Sequence, residues 1–460
     1  MTEISEFDAL GLRNALATKE VSAREATAHF LAKIEELNPS LGSFVTVTAD
    51  LALQTAARAD DALAAGAVPG MLHGMPLAYK DLLDVTGIAT GYGTAAFEPV
   101  IAKQDSPLVA VLSGTGAIGL GKTQVPEFGL SCHSENEVSP PARNPLDATR
   151  SAGGSSGGQA AAIAAGMLPF GPGNDGGGSV RIPASACGLI GLKPGLGTIP
   201  TDVLDGKVDA FGAPRLTVSG PLAHTAADAA LLMDAMVDAT AETFLEAVSE
   251  PALEALRSLR IGISTASPFS SVYPITLSPD TRAALDAGIK RLGAFGHHME
   301  EAELYYDAAY PENFSTVWTS GLAAAPIPPG SESKLGTLAR SFRERAIARD
   351  KSTSLAAARR LTEIAADFRT QWGRYDVILT PAMAFAPPKI GFYTSQDADT
   401  DYMRQCQYTP YTSMVNVSGL PAITVPTFTT ADGFSMGVQI IGRAGSEARL
   451  LTLAAQLTKM

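Results

Sequence analysis

The sequence predicts an α/β fold, a parallel or mixed β-sheet layered with α-helices. Three observations carry that prediction. Short apolar runs bounded by turn residues recur at 76–82, 118–123, 260–264, 375–380, 422–426 and 436–443, and each reads as a strand. Helix-patterned stretches separate several of them, including 225–236 and 446–459, and strands alternating with helices make layered sheets. The 460 residues, 46% hydrophobic and 18% charged, suffice for a large core.

The first third of the chain is helical. Ser22-Ala-Arg-Glu25 is a capping box ahead of Phe30, Ile34 and Leu37, which share one helical face. Residues 50–64 form a second, alanine-rich helix that stops near Gly66. His29 falls off the apolar stripe and reads as solvated. Residues 320–350, rich in Pro, Ser, Arg and Lys, read as an exposed surface excursion. The pair His297-His298 reads as solvated, with no third ligand near it.

Composition narrows the partners. A net charge of −13 disfavours nucleic acid and anionic membrane. Three cysteines, Cys132, Cys187 and Cys406, leave an odd thiol and no metal-ligand spacing, so no metal is expected and a reducing cytoplasm fits. The start of the chain, Met1 to Asp8, is acidic and lacks the apolar stretch of a signal peptide. Two uncharged runs, 151–174 and 405–431, are interrupted by Pro169, Pro410, Pro421 and Pro426, and read as buried core rather than membrane spans.

Several short patterns compete. Gly116-Ala-Ile-Gly-Leu-Gly-Lys122-Thr123 fits a P-loop, and with it a nucleotide-binding protein. A P-loop lysine opens a helix, whereas Thr123 is followed by Gln-Val-Pro126, which holds Val125 extended. A packed strand is the better reading. Gly171-Pro-Gly-Asn-Asp-Gly176 fits a dinucleotide fingerprint, but no amphipathic helix follows it. Gly153-Gly-Ser155-Ser-Gly157 fits a nucleophile elbow, but residues 140–150 do not make the central strand an elbow needs. Ser331-Glu-Ser-Lys334 fits a Ser-x-x-Lys pattern and reads as a solvated loop.

A longer pattern absorbs most of these. From Gly153-Gly-Ser-Ser-Gly-Gly158, through Asn174-Asp-Gly-Gly-Gly-Ser179-Val-Arg181, to Gly191-Leu-Lys-Pro194, the chain resembles the amidase signature family. The segments Leu72-His-Gly-Met-Pro-Leu-Ala-Tyr-Lys80-Asp, Gly121-Lys-Thr-Gln-Val-Pro-Glu-Phe128, Asn416-Val-Ser-Gly-Leu-Pro-Ala-Ile423 and Gly437-Val-Gln-Ile-Ile-Gly442 resemble it too. The resemblance implies one domain with a mixed sheet wrapped by helices, in which residues 1–65 form a helical segment packed on a catalytic domain of 66–460. It implies Lys80 as base, Ser155 as proton relay after a cis peptide, and Ser179 as nucleophile. It implies an oxyanion hole from the N–H groups of Gly176, Gly177, Gly178 and Ser179. Asp175 and Arg181 resemble an ion pair that holds this loop, with Ser156 in support. Gly129, Leu130 and Ser131 are candidate substrate contacts, and 305–329 a further source of pocket walls. A homodimer is the family expectation.

The residue types suit acyl transfer in their own right. A serine hydroxyl needs a base, and a lysine serves as one only when neutral, hence desolvated. Ser155 can accept and donate at once. Consecutive glycines before Ser179 let backbone N–H groups converge on a developing oxyanion. The family usually carries Thr or Ile where this chain has Gly176, so a looser hole is expected. The implied reaction is hydrolysis of a small-molecule amide, with esters and carbamates open and no cofactor. Glutaminase action, as in the glutamine-hydrolysing component of a tRNA-dependent amidotransferase, is the rival. Against it, the chain has no Tyr-Asp-Gly-x-Arg-Tyr-Gly segment and carries Thr409-Pro-Tyr-Thr412 where an acidic anchor is usual.

Overall fold

Paired through their backbones, the apolar runs make two sheets. The computed structural model describes residues 3–459; Met1, Thr2 and Met460, and with them the start of the acidic stretch, lie outside the described residues. The larger sheet has eight strands, in the order His298–Glu301, Arg260–Ile263, Val377–Pro381, Ser435–Gly442, Ala422–Thr429, Ile190–Lys193, Val218–Ala223 and Phe170–Asp175. Arg260–Ile263 runs parallel to both neighbours. The remaining pairs are antiparallel, so the sheet is mixed, as expected. All six runs read from the sequence are strands; 118–123 matches at both ends, and the other five have ends shifted by at most three residues. The edge strand His298–Glu301 is polar and partly exposed, which discourages edge-to-edge pairing.

A second sheet places Ile118–Thr123 between Phe44–Val47 and Pro76–Lys80. The stretch 1–65 therefore also supplies a strand. Its helices behave as read. Ser22 Oγ accepts from the Glu25 N–H at 3.1 Å, and the Glu25 carboxylate accepts from the Ser22 N–H at 2.9 Å. Helix Ala23–Leu41 stops at Gly42, whose φ of 62° is left-handed. Helix Ala226–Met236, capped by Thr225, is buried along its whole length against the strands around Val218–Ala223. Pro279–Ala294 and Glu447–Thr458 cover the Ala422–Thr429 and Ser435–Gly442 strands. Among the described residues, no helix is long and apolar enough to cross a membrane.

Three expectations need correction. His297 is buried, not solvated: Nδ1 accepts from the Leu259 N–H at 3.1 Å, which leaves Nε2 to donate to Gln456 Oε1 at 2.9 Å. Turn geometry around Gly296 folds this one ring inward while His298 stays exposed. His29 is half-buried and edge-on to Phe30. Residues 320–350 are more than a surface excursion. Short turns at Gly321–Ala324 and Glu332–Lys334 lead into helix Thr337–Ala348, which buries Ala339, Phe342 and Ala346. A strand, Asp147–Ser151, precedes Gly153, but it lies outside the large sheet, paired with Arg143–Asn144 and bridged to Lys389 through Arg150, so it is not the central strand an elbow needs. Lys122 of the P-loop lookalike is fully buried in the strand and ion-paired with Asp81 at 3.0 Å, which removes it from any phosphate.

The two sheets meet where function is expected. Strand Pro76–Lys80 packs beside Phe170–Asp175, and both end at the same place. Helix Gly157–Ala164 packs on both strands and passes at very short range by Gln124 and Ser43. A Cβ on Gly158 would fall 2.5 Å from Gln124 N and from Ser43 O. Gly114, at the end of helix Pro107–Gly114, would meet nothing within 4 Å. Gly158→Ala is therefore expected to destabilise by roughly 1–3 kcal/mol or more through overpacking. Gly114→Ala should be neutral or stabilising by about 0.5–1 kcal/mol. Urea denaturation of both variants checks this, and equal behaviour would refute the close-approach argument.

Candidate active site

Lys80 closes a strand in which every residue is buried, so its amine has nowhere to reach but inward. Nζ lies 2.7 Å from Ser155 Oγ and 3.4 Å from the Asn174 carbonyl. Burial lowers its pKa to about 7, against the opposing pull of the Asp175 carboxylate.

Ser155 follows a cis peptide from Gly154. A side chain on Gly154 would stand 2.6–2.7 Å from the His133 backbone, so glycine is required there. The Ser156 N–H donates to the Ser179 carbonyl at 3.2 Å, tying the two serine segments together. The Ser156 hydroxyl itself is buried without a partner, so its support comes from the backbone.

Ser179 sits in the turn between strand Phe170–Asp175 and helix Arg181–Cys187. The fully buried Asp175 and Arg181 bracket that turn with two parallel bonds, Nε to Oδ2 at 2.9 Å and Nη2 to Oδ1 at 2.8 Å. Asp175 also accepts from the N–H groups of Gly178 at 2.8 Å and Val180 at 3.1 Å. Arg181 reaches on to Gln439 Oε1 at 2.6 Å, Asn416 Oδ1 at 2.6 Å and the Thr412 carbonyl at 3.0 Å. Burial alone would push the Asp175 carboxyl up. The guanidinium, helped by Lys193 and Asn416, more than reverses this and holds it well below the usual carboxylate range.

Two expectations about the oxyanion hole change. The Gly178 N–H is engaged by Asp175 and is not free for an oxyanion; the Gly176, Gly177 and Ser179 N–H groups carry no such bond. The missing side chain at Gly176 does not loosen the turn. A Cβ there would meet Thr217 Oγ1 at 2.9 Å and the Trp318 ring at 3.1 Å, so Trp318 fills the space.

Lys80, Ser155 and Ser179 line one cavity of about 220 Å³, together with Gly129, Leu130 and Trp318. A narrower cavity of about 50 Å³ opens beside Ser179 and Gly177, walled by Phe269, Phe314, Trp318 and Tyr402. The structure thus brings together the three residues read as catalytic and two of the three read as substrate contacts; Ser131 joins the narrower cavity. The turn before them is unusual. Phe128 has φ 53°, a left-handed conformation rare outside glycine and common at functional sites, and Gly129 follows at φ 70°. A side chain on Gly129 would crowd Leu82 at 2.8 Å and Ser155 Oγ at 3.4 Å.

Phe314 and Trp318 stack at 5.8 Å on helix Tyr310–Ser320, inside the segment read as a pocket wall. Sequence reasoning missed Tyr402, Gln405 and Cys406. Their spacing on helix Ala398–Tyr408 is the signal that marks a shared face. Phe269 lies in irregular chain and gives no such signal. Among the described residues, no histidine lines either cavity. His224 Nε2 is bonded to the Ile163 carbonyl at 2.9 Å. Cys187 is a core thiol that burial pushes well above its ordinary range.

A family model described as Amidase matches residues 25–451. The chain belongs to the amidase signature family. It is 34% identical to the amidase homologue AmiB2 of Mycobacterium tuberculosis, over 99% of this chain and 96% of the relative. It is also 34% identical to a glutamyl-tRNA(Gln) amidotransferase chain of Thioalkalivibrio sulfidiphilus, over 97% and 95%. Among solved structures it resembles 6-aminohexanoate cyclic dimer hydrolase, with TM-score 0.88, 27% identity and coverage of 100% and 97%. A bacterial aryl acylamidase of the amidase signature family shares the fold, with TM-score 0.85 and 24% identity over 98% and 96% of the two chains. The protein is an amidase signature hydrolase acting on amides.

In this amidase signature chain the Asp175–Arg181 pair carries the turn. Arg181→Ala would leave a buried carboxylate without its partner, an expected loss of ~3–5 kcal/mol. Chemical denaturation should show that loss alongside reduced turnover. A variant that lost turnover yet unfolded like wild type would give Arg181 a direct role on substrate.

Proposed function

We propose that the chain hydrolyses a carboxylic amide through an acyl-enzyme on Ser179, with Ser155 as relay and Lys80 as general base. The observation that carries this is the buried 2.7 Å contact between Lys80 Nζ and Ser155 Oγ. Among the described residues no carboxylate pairs with that amine, and burial leaves it readily deprotonated around pH 7. The second leg, from Ser155 to Ser179, rests on both residues lining one cavity.

Neutral Lys80 takes the Ser155 proton as Ser155 takes the proton of Ser179. Ser179 Oγ bonds to the amide carbon. The oxygen that becomes negative is met by the N–H groups of Gly176, Gly177 and Ser179. On collapse the C–N bond breaks, and the leaving nitrogen receives the proton returned through Ser155. Water then attacks the acyl ester, loses its proton along the same path, and releases the acid and Ser179. These steps need no metal and no organic cofactor. Esters and carbamates fit the same steps with an easier leaving group.

The aromatic walls beside Ser179 favour an apolar or aromatic group next to the scissile bond. Glutamine is disfavoured by the same cavity. None of the residues lining it is charged, so the α-ammonium and α-carboxylate would both be buried unpaired. Similarity to a cyclic dimer hydrolase leaves cyclic amides alongside linear ones.

Lys80 must lose its proton to act, so kcat/KM should rise with pH through about 7 and then level off. Lys80→Ala should remove nearly all amide hydrolysis while keeping the fold, and Lys80→Arg should not restore it because guanidinium keeps its proton. Wild-type rates in Lys80→Ala would remove the lysine from the mechanism. A phosphonofluoridate should label Ser179 on peptide mapping; a label on Ser155 or Ser156 would reverse the assignment.

A further inference from the structure

A third cavity, of about 400 Å³, lies against the turn that carries Leu130 and Ser131, and one or both of those residues also wall the two cavities at Ser179. Its chemistry is different. Carboxyl groups of Glu127, Glu135 and Asp401 line it, with Glu137 at the exposed rim. Among the described residues, none of the first three is ion-paired with lysine or arginine. Lys334, the one basic side chain on the wall, is exposed at the mouth. The Glu135 and Asp401 side chains are only 8% and 7% exposed.

His133 stands between them, 3% exposed and stacked on Tyr393 at 4.8 Å. Its Nδ1 is 3.6 Å from Glu135 Oε1 and its Nε2 is 3.9 Å from Asp401 Oδ1, both too long for hydrogen bonds. Among the described residues neither ring nitrogen has a hydrogen-bond partner, and neither does Glu135 Oε1. Burial lowers the His133 pKa to about 3 and raises those of the three carboxyls, Asp401 to about 6. A neutral ring has one donor and one acceptor and no charge, so it leaves the Glu135 and Asp401 carboxyls without a cationic partner.

That deficit specifies the ligand. An anion is repelled. A bound metal is not indicated, because no group of three His, Cys, Asp or Glu side chains among the described residues is placed to hold one. A primary ammonium brings three N–H donors and one charge, matching Glu135 Oε1, the bare nitrogen of His133 and Asp401. We propose that this cavity is a subsite for a primary ammonium group carried on the amide substrate, a few bonds from the carbon that Ser179 attacks. The proposal rests on the reading of Ser179 given above, and it names a substrate class, amides with an apolar body and a distal ammonium.

Two sets of matched amides test it: ω-aminoacyl anilides against acyl anilides ending in methyl, and hexanoyl amides of diamines against those of alkylamines, each over a range of chain lengths. At one length, on one side, kcat/KM for the ammonium substrate should exceed that of its methyl isostere by on the order of tenfold or more. Glu135→Gln and Asp401→Asn should bring that ratio towards one. Methyl isosteres that match or beat the ammonium substrates at every length would overturn the proposal. Calorimetric titration of hexylammonium into Ser179→Ala reads the cavity without catalysis. Binding that is absent for hexanol and weakened about tenfold by Glu135→Gln supports the site; no binding of hexylammonium overturns it. Hexylammonium that binds but does not compete with a neutral amide would mark an effector site and overturn the substrate role. Should no amide be hydrolysed at all, the Ser179 reading fails while the titration still answers for the cavity.

Discussion

The buried pair of Asp175 and Arg181 is the constraint on which the catalytic end of the molecule depends. Its members sit at the end of a strand and the start of a helix, so their two parallel bonds fix the turn that presents Ser179. Arg181 then reaches Asn416 and Gln439, residues far along the chain, and binds the turn to the centre of the large sheet. A buried ion pair of this kind adds little net stability over an apolar replacement, but breaking one half is costly. Its value here is geometric. It also has an electrical consequence. Asp175 is the carboxylate that would pull a proton onto Lys80, and Arg181 takes up much of that charge. The pair that shapes the turn at Ser179 thereby helps keep the Lys80 amine neutral.

Close approach is the second organising demand. Gly154 and Gly158 lie where a single methyl group would strike backbone atoms of the 124–133 region. Gly176 shows the converse. The space a side chain at Gly176 would take is occupied by the ring of Trp318 from a distant helix, so the site is filled without it. A wall built this way couples the turn at Gly176 to the two cavities that Trp318 lines: whatever moves Trp318 also alters the packing against that turn.

How much of this the sequence disclosed follows from the range over which each feature is encoded. The strands were legible because a buried strand is a local apolar run, and helix starts because capping is local. Lys80, Ser155 and Ser179 were legible through motif resemblance and the glycines around them. Features set by contacts between distant segments were not. The inward turn of His297 is fixed by Gln456, and the place of helix Thr337–Ala348 is fixed partly by the bond from the Gly336 N–H to Glu127 at 3.0 Å. Engagement of the Gly178 N–H by Asp175 is close in sequence, yet it depends on the conformation of a glycine-rich turn that four adjacent residues leave open.

The chain from Phe128 to His133 divides two environments. On one side lie Ser155, Ser179 and the aromatic walls; on the other lie Glu127, Glu135, Asp401 and the unpartnered ring of His133. Such an arrangement is costly, since it combines a left-handed Phe128 with carboxyls taken out of water. Its constraints are shared. The His133 backbone is what excludes a side chain at Gly154, directly before Ser155, while its imidazole faces the acidic cavity. A movement of this one residue towards a ligand on the acidic side would therefore be felt at Ser155, the proposed relay. Recognition and chemistry meet through a backbone contact rather than through a shared side chain, which is why neither motif spacing nor the catalytic trio alone pointed to it.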